Sequence, residues 1–130
     1  MTTILLIDDD ADDREIFADL LAEDHPSIVL LQAANGADAF EKLKSENAPK
    51  PDLIFLDLNM PIMDGRTFLQ RIKTDPDLSY IPVIIYTTSS SEADRDFAME
   101  HQAACFLTKQ YSLELQRKDI MAAIAKFYLI

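Results

Sequence analysis

The chain has 130 residues, 48% apolar and 27% charged, which fits one soluble globular domain long enough to bury a core of its own. A net charge of −11 argues against nucleic acid as a direct partner, because phosphate contacts need Lys and Arg, and two glycines leave no glycine-rich phosphate loop. The single Cys105 cannot close an internal disulfide and fits a reducing cytoplasm, and no stretch reaches the roughly 20 apolar residues of a membrane span.

Met1-Thr2-Thr3 offers no basic leader, and the apolar run Ile4 to Ile7 is a first strand. Ile16, Phe17, Leu20 and Leu21 recur at helical spacing, so a helix is expected from about Ala11 to Glu23, with aspartates at the positive end of its dipole and His25-Pro26 at its stop. Ile28 to Leu31 is a second strand. Asn35-Gly36 caps a helix that carries Ala39, Phe40 and Leu43. Pro49 and Pro51 precede the third strand, Leu53 to Leu56, whose unbroken apolar run suits a strand buried on both faces. A helix with Phe68, Leu69 and Ile72 ends near Thr74-Asp75-Pro76. Ile81 to Tyr86 is a fourth strand, and Ser89 with Glu92 has capping-box spacing for a helix through about Met99. Ala104 to Thr108 is a fifth strand. The last helix starts near Ser112, with Leu115, Ile120, Ala123, Ile124 and Phe127 on one broad face.

Strict alternation of five strands and five helices reads as α/β, a doubly wound parallel sheet with right-handed crossovers. The order 2-1-3-4-5 is preferred, because it gathers the reactive strand ends at the carboxyl edge, where such sheets bind ligands. Asp8, Asp9 and Asp10 follow the first strand, Asp57 the third, Thr87 and Thr88 the fourth, and Lys109 the fifth; the second ends in unreactive Gln32-Ala33-Ala34. Taken singly, an Asp pair before a helix is an N-cap, Thr87 a strand-end hydroxyl and Lys109 a solvated lysine. Taken together, clustered carboxylates repel one another, and a hard divalent cation resolves the repulsion. Asp8, Asp9 and Asp57, with the main-chain carbonyl of Asn59, suit Mg²⁺; Asp57 is then a carboxylate nucleophile toward a phosphoryl group, and Thr87 and Lys109 take its oxygens. Nothing after the first strand resembles a flavin-phosphate loop.

The segments Ile4-Leu5-Leu6-Ile7-Asp8-Asp9-Asp10, Phe55-Leu56-Asp57-Leu58-Asn59-Met60-Pro61-Ile62-Met63-Asp64-Gly65, Pro82-Val83-Ile84-Ile85-Tyr86-Thr87-Thr88 and Phe106-Leu107-Thr108-Lys109 resemble the receiver domain of two-component response regulators. The resemblance covers essentially the whole chain. It implies a flavodoxin-like (βα)5 receiver fold as a single domain over 1–130 without an output domain. It also implies phosphoryl acceptance by Asp57, Mg²⁺ at Asp8 and Asp9, a switch made of Thr87 and Phe106, and Lys109 as the phosphoryl-binding lysine. The donor would be a sensor histidine kinase or phosphotransfer protein, and the output a protein target rather than turnover of a substrate. Gln110 stands where the family usually has a proline joined through a cis peptide, which leaves that isomer open, and Tyr86 stands where a smaller aliphatic is common.

Lys73 to Pro82, Thr87-Thr88-Ser89 and Cys105 to Lys109 look like the small regulators of bacterial phytochrome-type sensor kinases, which also lack that proline and often dimerise through the fourth helix, fifth strand and fifth helix. Two other classes compete with the switch. A phosphohydrolase with an aspartyl nucleophile would want a second acid where Asn59 stands. A phosphorylation-independent interaction module would have no need of all four site residues. His25 and His101 read as helix-end residues, and Cys105 as a buried small hydrophobe.

Overall fold

The computed structural model describes residues 2–47 and 49–127. The elements alternate as β1 (Thr3–Ile7), α1 (Ala11–Asp24), β2 (Val29–Ala33), α2 (Gly36–Lys44), β3 (Leu53–Leu56), α3 (Gly65–Thr74), β4 (Val83–Thr87), α4 (Glu92–Glu100), β5 (Cys105–Thr108) and α5 (Leu113–Phe127). All strand pairs are parallel, in the order β2-β1-β3-β4-β5. The expected doubly wound architecture is therefore the one the chain adopts.

The sheet divides the core in two. Side chains alternate between faces along a strand, and each central strand feeds both. Leu5, Ile7, Ile54, Leu56, Val83 and Ile85 pack with Phe68, Leu69 and Ile72 on one face. Ile4, Leu6, Leu53, Phe55, Ile84 and Tyr86 pack with Phe17, Leu21, Ile120 and Ile124 on the other. This two-sided burial is why β1, β3 and β4 read as continuous apolar runs rather than alternating ones. Phe17, Phe55 and Tyr86 meet edge to face beneath α1 and α5, with Phe17 and Phe55 centroids 4.9 Å apart.

Several boundaries differ from the sequence reading. β2 runs to Ala33, not Leu31, because Ala33 pairs with Ile7 and its carbonyl accepts the Asp8 N–H at 3.0 Å. β4 takes in Thr87, which pairs with Thr108. The N-cap of α4 is Ser91, whose Oγ accepts from the Asp94 N–H, rather than Ser89. On α5, Ile120, Ala123 and Ile124 are buried, but Leu115 is exposed, five residues and so well round the helix from Ile120. Cys105 is only partly buried. His25 and His101 end α1 and α4 as expected. All peptide bonds among the described residues are trans, Lys109–Gln110 included. No helix among them is long and apolar enough to cross a membrane.

Candidate functional site

The parallel register sets the strand tips side by side. Ile7 pairs with Leu56, so the next residues, Asp8 and Asp57, leave β1 and β3 at the same level. The Asp57 N–H donates to the Ile7 carbonyl at 3.0 Å, and the Lys109 N–H to the Thr87 carbonyl at 2.7 Å, extending the ladders one step beyond the strands. Alternation assigns faces as well. Asp8, Asp57 and Lys109 continue the positions of Leu6, Phe55 and Leu107, which face α1 and α5, whereas Thr87 continues that of Ile85.

Asp8 and Asp57 are buried, Asp9 is exposed, and one carboxylate oxygen from each lies within 4.8 Å of the other two. Oxygens on a common Mg²⁺ at about 2.0–2.1 Å can stand up to about 4.2 Å apart. A small side-chain rotation therefore brings the three onto one ion, and a hard, all-oxygen donor set is what Mg²⁺ takes. Asn59 is exposed between buried Leu58 and Met60, its N–H donating to Asp57 Oδ1 at 3.3 Å.

The lysine meets three acids. Lys109 Nζ is 2.6 Å from Asp8 Oδ2, 2.8 Å from Asp13 Oδ2 and 3.6 Å from Asp57 Oδ2. Burial works against its ammonium, but Asp13 and Asp8 outweigh it and hold the lysine above its ordinary value. For Asp8 burial wins: its pKa is pushed up to about 6 despite Lys109 and the Asp10 N–H, and the Asp57 carboxylate adds to the rise. The Lys109 ammonium also sits 5.6 Å from the centre of the Tyr86 ring, within cation–π range. That contact gives a physical role to the tyrosine standing where a smaller aliphatic is common.

Thr87 is fully buried, and its Oγ1 accepts from the Ser89 N–H at 3.4 Å. Ser89 Oγ donates to Asp94 Oδ2 at 2.7 Å, and the Arg66 Nη2 donates to Asp94 Oδ1 at 2.6 Å. The loop after β4 is thus tied to the first turns of both α3 and α4. Phe106 lies in the core on the opposite face from Lys109, with the Arg95 guanidinium 4.7 Å over its ring.

The structure therefore gathers Asp8, Asp9, Asp57 and Lys109 at one point, and places Thr87 and Phe106 on adjoining strands with side chains on the α4 side. Sequence reasoning missed Asp13 and Arg14. Arg14 Nη1 donates to the Asp8 carbonyl at 2.7 Å, bracing the strand tip. Both sit in the first turn and a half of α1, where the sequence reading used only the aspartates, as charges matched to the helix dipole. Asp13 is the third residue after the N-cap Asp10, a position from which side chains lean back toward the helix start, and hence toward the crevice.

Fold and crevice together define a small doubly wound α/β protein with an acid-lined carboxyl edge. The response regulator receiver domain matches residues 4–124, and the chain belongs to that family, the receiving side of two-component signalling. Response regulator Rcp1 of Synechocystis sp. is 40% identical over 116 residues, 85% of this chain and 78% of the relative. Protein PilH of Pseudomonas aeruginosa is 34% identical over 125 residues, covering 96% and 99%. Among solved structures, the Mn²⁺-bound form of Rcp1 superposes with a TM-score of 0.88 at 35% identity, covering 96% of this chain and 93% of that one. The phosphorylated cyanobacterial phytochrome response regulator RcpA gives 0.88 at 33%, covering 98% and 94%.

Proposed function

We propose that this chain is a stand-alone phosphorylation switch of the cytoplasm, which takes a phosphoryl group from a sensor histidine kinase onto Asp57. A carboxylate oxygen of Asp57 bonds to phosphorus as the P–N bond of the phosphohistidine breaks and the imidazole leaves. Asp8, Asp9, Asp57 and the Asn59 carbonyl would hold Mg²⁺, which would supply positive charge toward the phosphoryl oxygens. Lys109, with its ammonium 3.6 Å from Asp57 Oδ2, is in reach of one such oxygen after a small movement. The Thr87 hydroxyl turns from its long bond with Ser89 to another. Its shift opens room on the α4 side into which Phe106 turns, which alters the face of α4 and β5 that a partner meets. Asn59 and Ser89 border the acceptor and influence how fast water removes the phosphoryl group.

The observation that carries this reading is the meeting of Asp8, Asp9 and Asp57 oxygens within 4.8 Å at the end of β3. Similarity to a phosphorylated phytochrome response regulator and to the Mn²⁺-bound form of Rcp1 supports a kinase of phytochrome type as the donor and a divalent ion at the acids. A homodimer through α4, β5 and α5 belongs to the same reading, and Met99, Leu113 and Leu115 are exposed there.

Intact mass after incubation with Mg²⁺ and acetyl phosphate tests the central step. One added phosphoryl group on the wild type and none on Asp57→Asn is expected. Equal addition to both, or none to either, would end the proposal.

Mg²⁺ binding should also depend on pH. The Asp8 carboxyl, raised to about 6 by burial, must lose its proton to ligate, so calorimetric Mg²⁺ affinity should fall by about tenfold per unit below pH 6 and level off above pH 7. In the metal-free protein the sign reverses. A raised carboxyl contributes stability that is complete below 3.8, its ordinary value, and is lost as pH rises through about 6. The thermal shift produced by Mg²⁺ should therefore be small at pH 5 and large at pH 7.5. An affinity flat from pH 5 to 7.5 would count against Asp8 as a ligand.

A further inference from the structure

The acid pocket holds a carboxylate that the phosphoryl reading does not use. Lys109 Nζ, with only 8% of its side chain exposed, divides itself almost evenly between Asp8 at 2.6 Å and Asp13 at 2.8 Å. Only one of these two acids has an oxygen within the group formed with Asp9 and Asp57. Asp8 thus has two claims on it, the lysine and a divalent cation, and both cannot be fully met, since an ammonium and a divalent cation repel at such range.

We propose that Asp13 is a positioning residue that draws Lys109 away from Asp8, leaving the Asp8 carboxylate available to a divalent cation while the lysine stays within reach of Asp57. The inference rests on the reading of Asp8, Asp9 and Asp57 as the cation's ligands. Three features of the pocket carry it. Asp13 is outside the ligand group, so its 2.8 Å contact with Lys109 does not compete with a cation. It is the third residue of a helix whose N-cap, Asp10, is fixed by the N–H groups of Asp12 and Asp13, so its direction is set by the helix and not by the lysine. The Lys109 ammonium also lies 5.6 Å from the centre of the Tyr86 ring, a cation–π contact that favours its staying in the crevice when it loses Asp8. Without Asp13, the lysine's nearest partners would be Asp8 and Asp57, and it would compete for the very oxygens a cation needs.

Asp12 gives an internal control. It lies beside Asp13 in the same first turn with the same charge, but it is exposed and makes no contact with Lys109 among the described residues. Loss of one negative charge near the helix start is common to Asp12→Ala and Asp13→Ala; loss of the hold on Lys109 is not.

The experiment is calorimetric titration of the purified full chain with MgCl₂ at pH 7.5, with urea melts to confirm that each variant is folded. Asp13→Ala should bind Mg²⁺ roughly fivefold more weakly than wild type, within the range of couplings between groups in contact. Asp12→Ala should stay within about twofold. In a Lys109→Met background, Asp13→Ala should have no more effect than Asp12→Ala, because the competitor is gone. Should alanine unfold the chain, the near-isosteric Asp13→Asn keeps a hydrogen-bond acceptor without the charge and should weaken binding in the same direction. Equal effects of the two single substitutions, or an Asp13 effect that survives in Lys109→Met, would overturn the proposal while leaving the ligand assignment standing. A wild type that binds no Mg²⁺ would remove the ligand assignment and the proposal together.

Discussion

Gly65→Ala should lower the stability of the chain by about 3 kcal/mol or more, moving the thermal midpoint down by roughly 10 °C. Helix propensity alone predicts the opposite. Gly65 is the first residue of α3, and alanine in place of a helical glycine is ordinarily worth up to about 1 kcal/mol. The clash decides the sign. A β-carbon on Gly65 would stand 2.2 Å from the Asp57 carbonyl oxygen and 2.6 Å from the Leu58 Cα, both main-chain atoms that no rotamer change can move. The Gly65 N–H also donates to the Leu58 carbonyl at 3.0 Å, so the start of α3 is fastened to the segment that leaves the acceptor. Relief of the clash must either lift α3 off the end of β3 or tilt the Asp57 peptide, and both displace the acceptor. Urea melts of Gly65→Ala beside Thr67→Ala, an exposed position on the same helix, separate the two effects. A Gly65→Ala midpoint at or above wild type would show that the packing here is looser than the contacts imply.

How much of this was legible in the sequence varies with the kind of signal. The central strands were, because burial on both faces writes itself as four unbroken apolar residues in Ile4 to Ile7 and Leu53 to Leu56. The ends of β2 and β4 were not. Gln32 and Ala33 carry no hydrophobic signal, and they belong to β2 through main-chain pairing with Leu6 and Ile7. Thr87, polar and so read as a hydroxyl just past the strand end at Tyr86, is β-branched, fully buried and paired with Thr108. The start of α4 was ambiguous for a different reason. Ser89, Ser90 and Ser91 offer three hydroxyls in a row, and spacing alone favoured Ser89 with Glu92. Arg66 settles it from 28 residues away, by drawing the Asp94 carboxylate to where Ser89 Oγ can donate to it, which leaves Ser91 to cap.

The site was legible to the extent that it is made of strand tips. Asp8, Asp57 and Thr87 each directly follow an apolar run and Lys109 directly follows the fifth strand, and the rule that such sheets work at their carboxyl edge was enough to group them. What the tips could not reveal is what reaches back from the helices. Asp13 and Arg14 sit in α1, and only the geometry of the N-cap at Asp10 turns one toward Lys109 and sets the other beneath the Asp8 carbonyl. The division between faces was likewise implicit. The two-residue period puts Asp8, Asp57 and Lys109 over the α1–α5 core and Thr87 and Phe106 over the other. A rearrangement of Thr87 and Phe106 can therefore proceed on the α4 side without breaking the packing of Phe17, Phe55 and Tyr86 under the acids.

Lys109→Met should cost the metal-free protein about 3–5 kcal/mol at pH 7.5, the usual penalty for removing one partner of a buried ion pair. Methionine keeps an unbranched apolar side chain of similar length, so the loss comes chiefly from the charge and its contacts. It would leave Asp8, almost wholly buried, and Asp57, nearly so, facing each other without a cation between them. The deficit should shrink under two conditions. Lys109 is among the influences that hold the Asp8 carboxyl down against burial, so its removal lets that carboxyl rise further. A raised acid gives its full stability below its unfolded value and loses it as pH climbs through the folded one, so the variant should recover much of the difference by pH 4 to 5. Saturating Mg²⁺ at pH 7.5 should also stabilise the variant more than the wild type, because a cation bound to the native state alone adds stability in proportion to its affinity, and here it no longer competes with an ammonium. Acceptance of a phosphoryl group should fall sharply even where Mg²⁺ has restored the fold, since no other cationic side chain lies this close to Asp57 among the described residues. Chemical melts at pH 4.5 and 7.5, with and without Mg²⁺, read all of this from one variant. Wild-type stability at pH 7.5 without Mg²⁺ would mean that the acids are not under strain, and with that the physical case for a cation between them would fail.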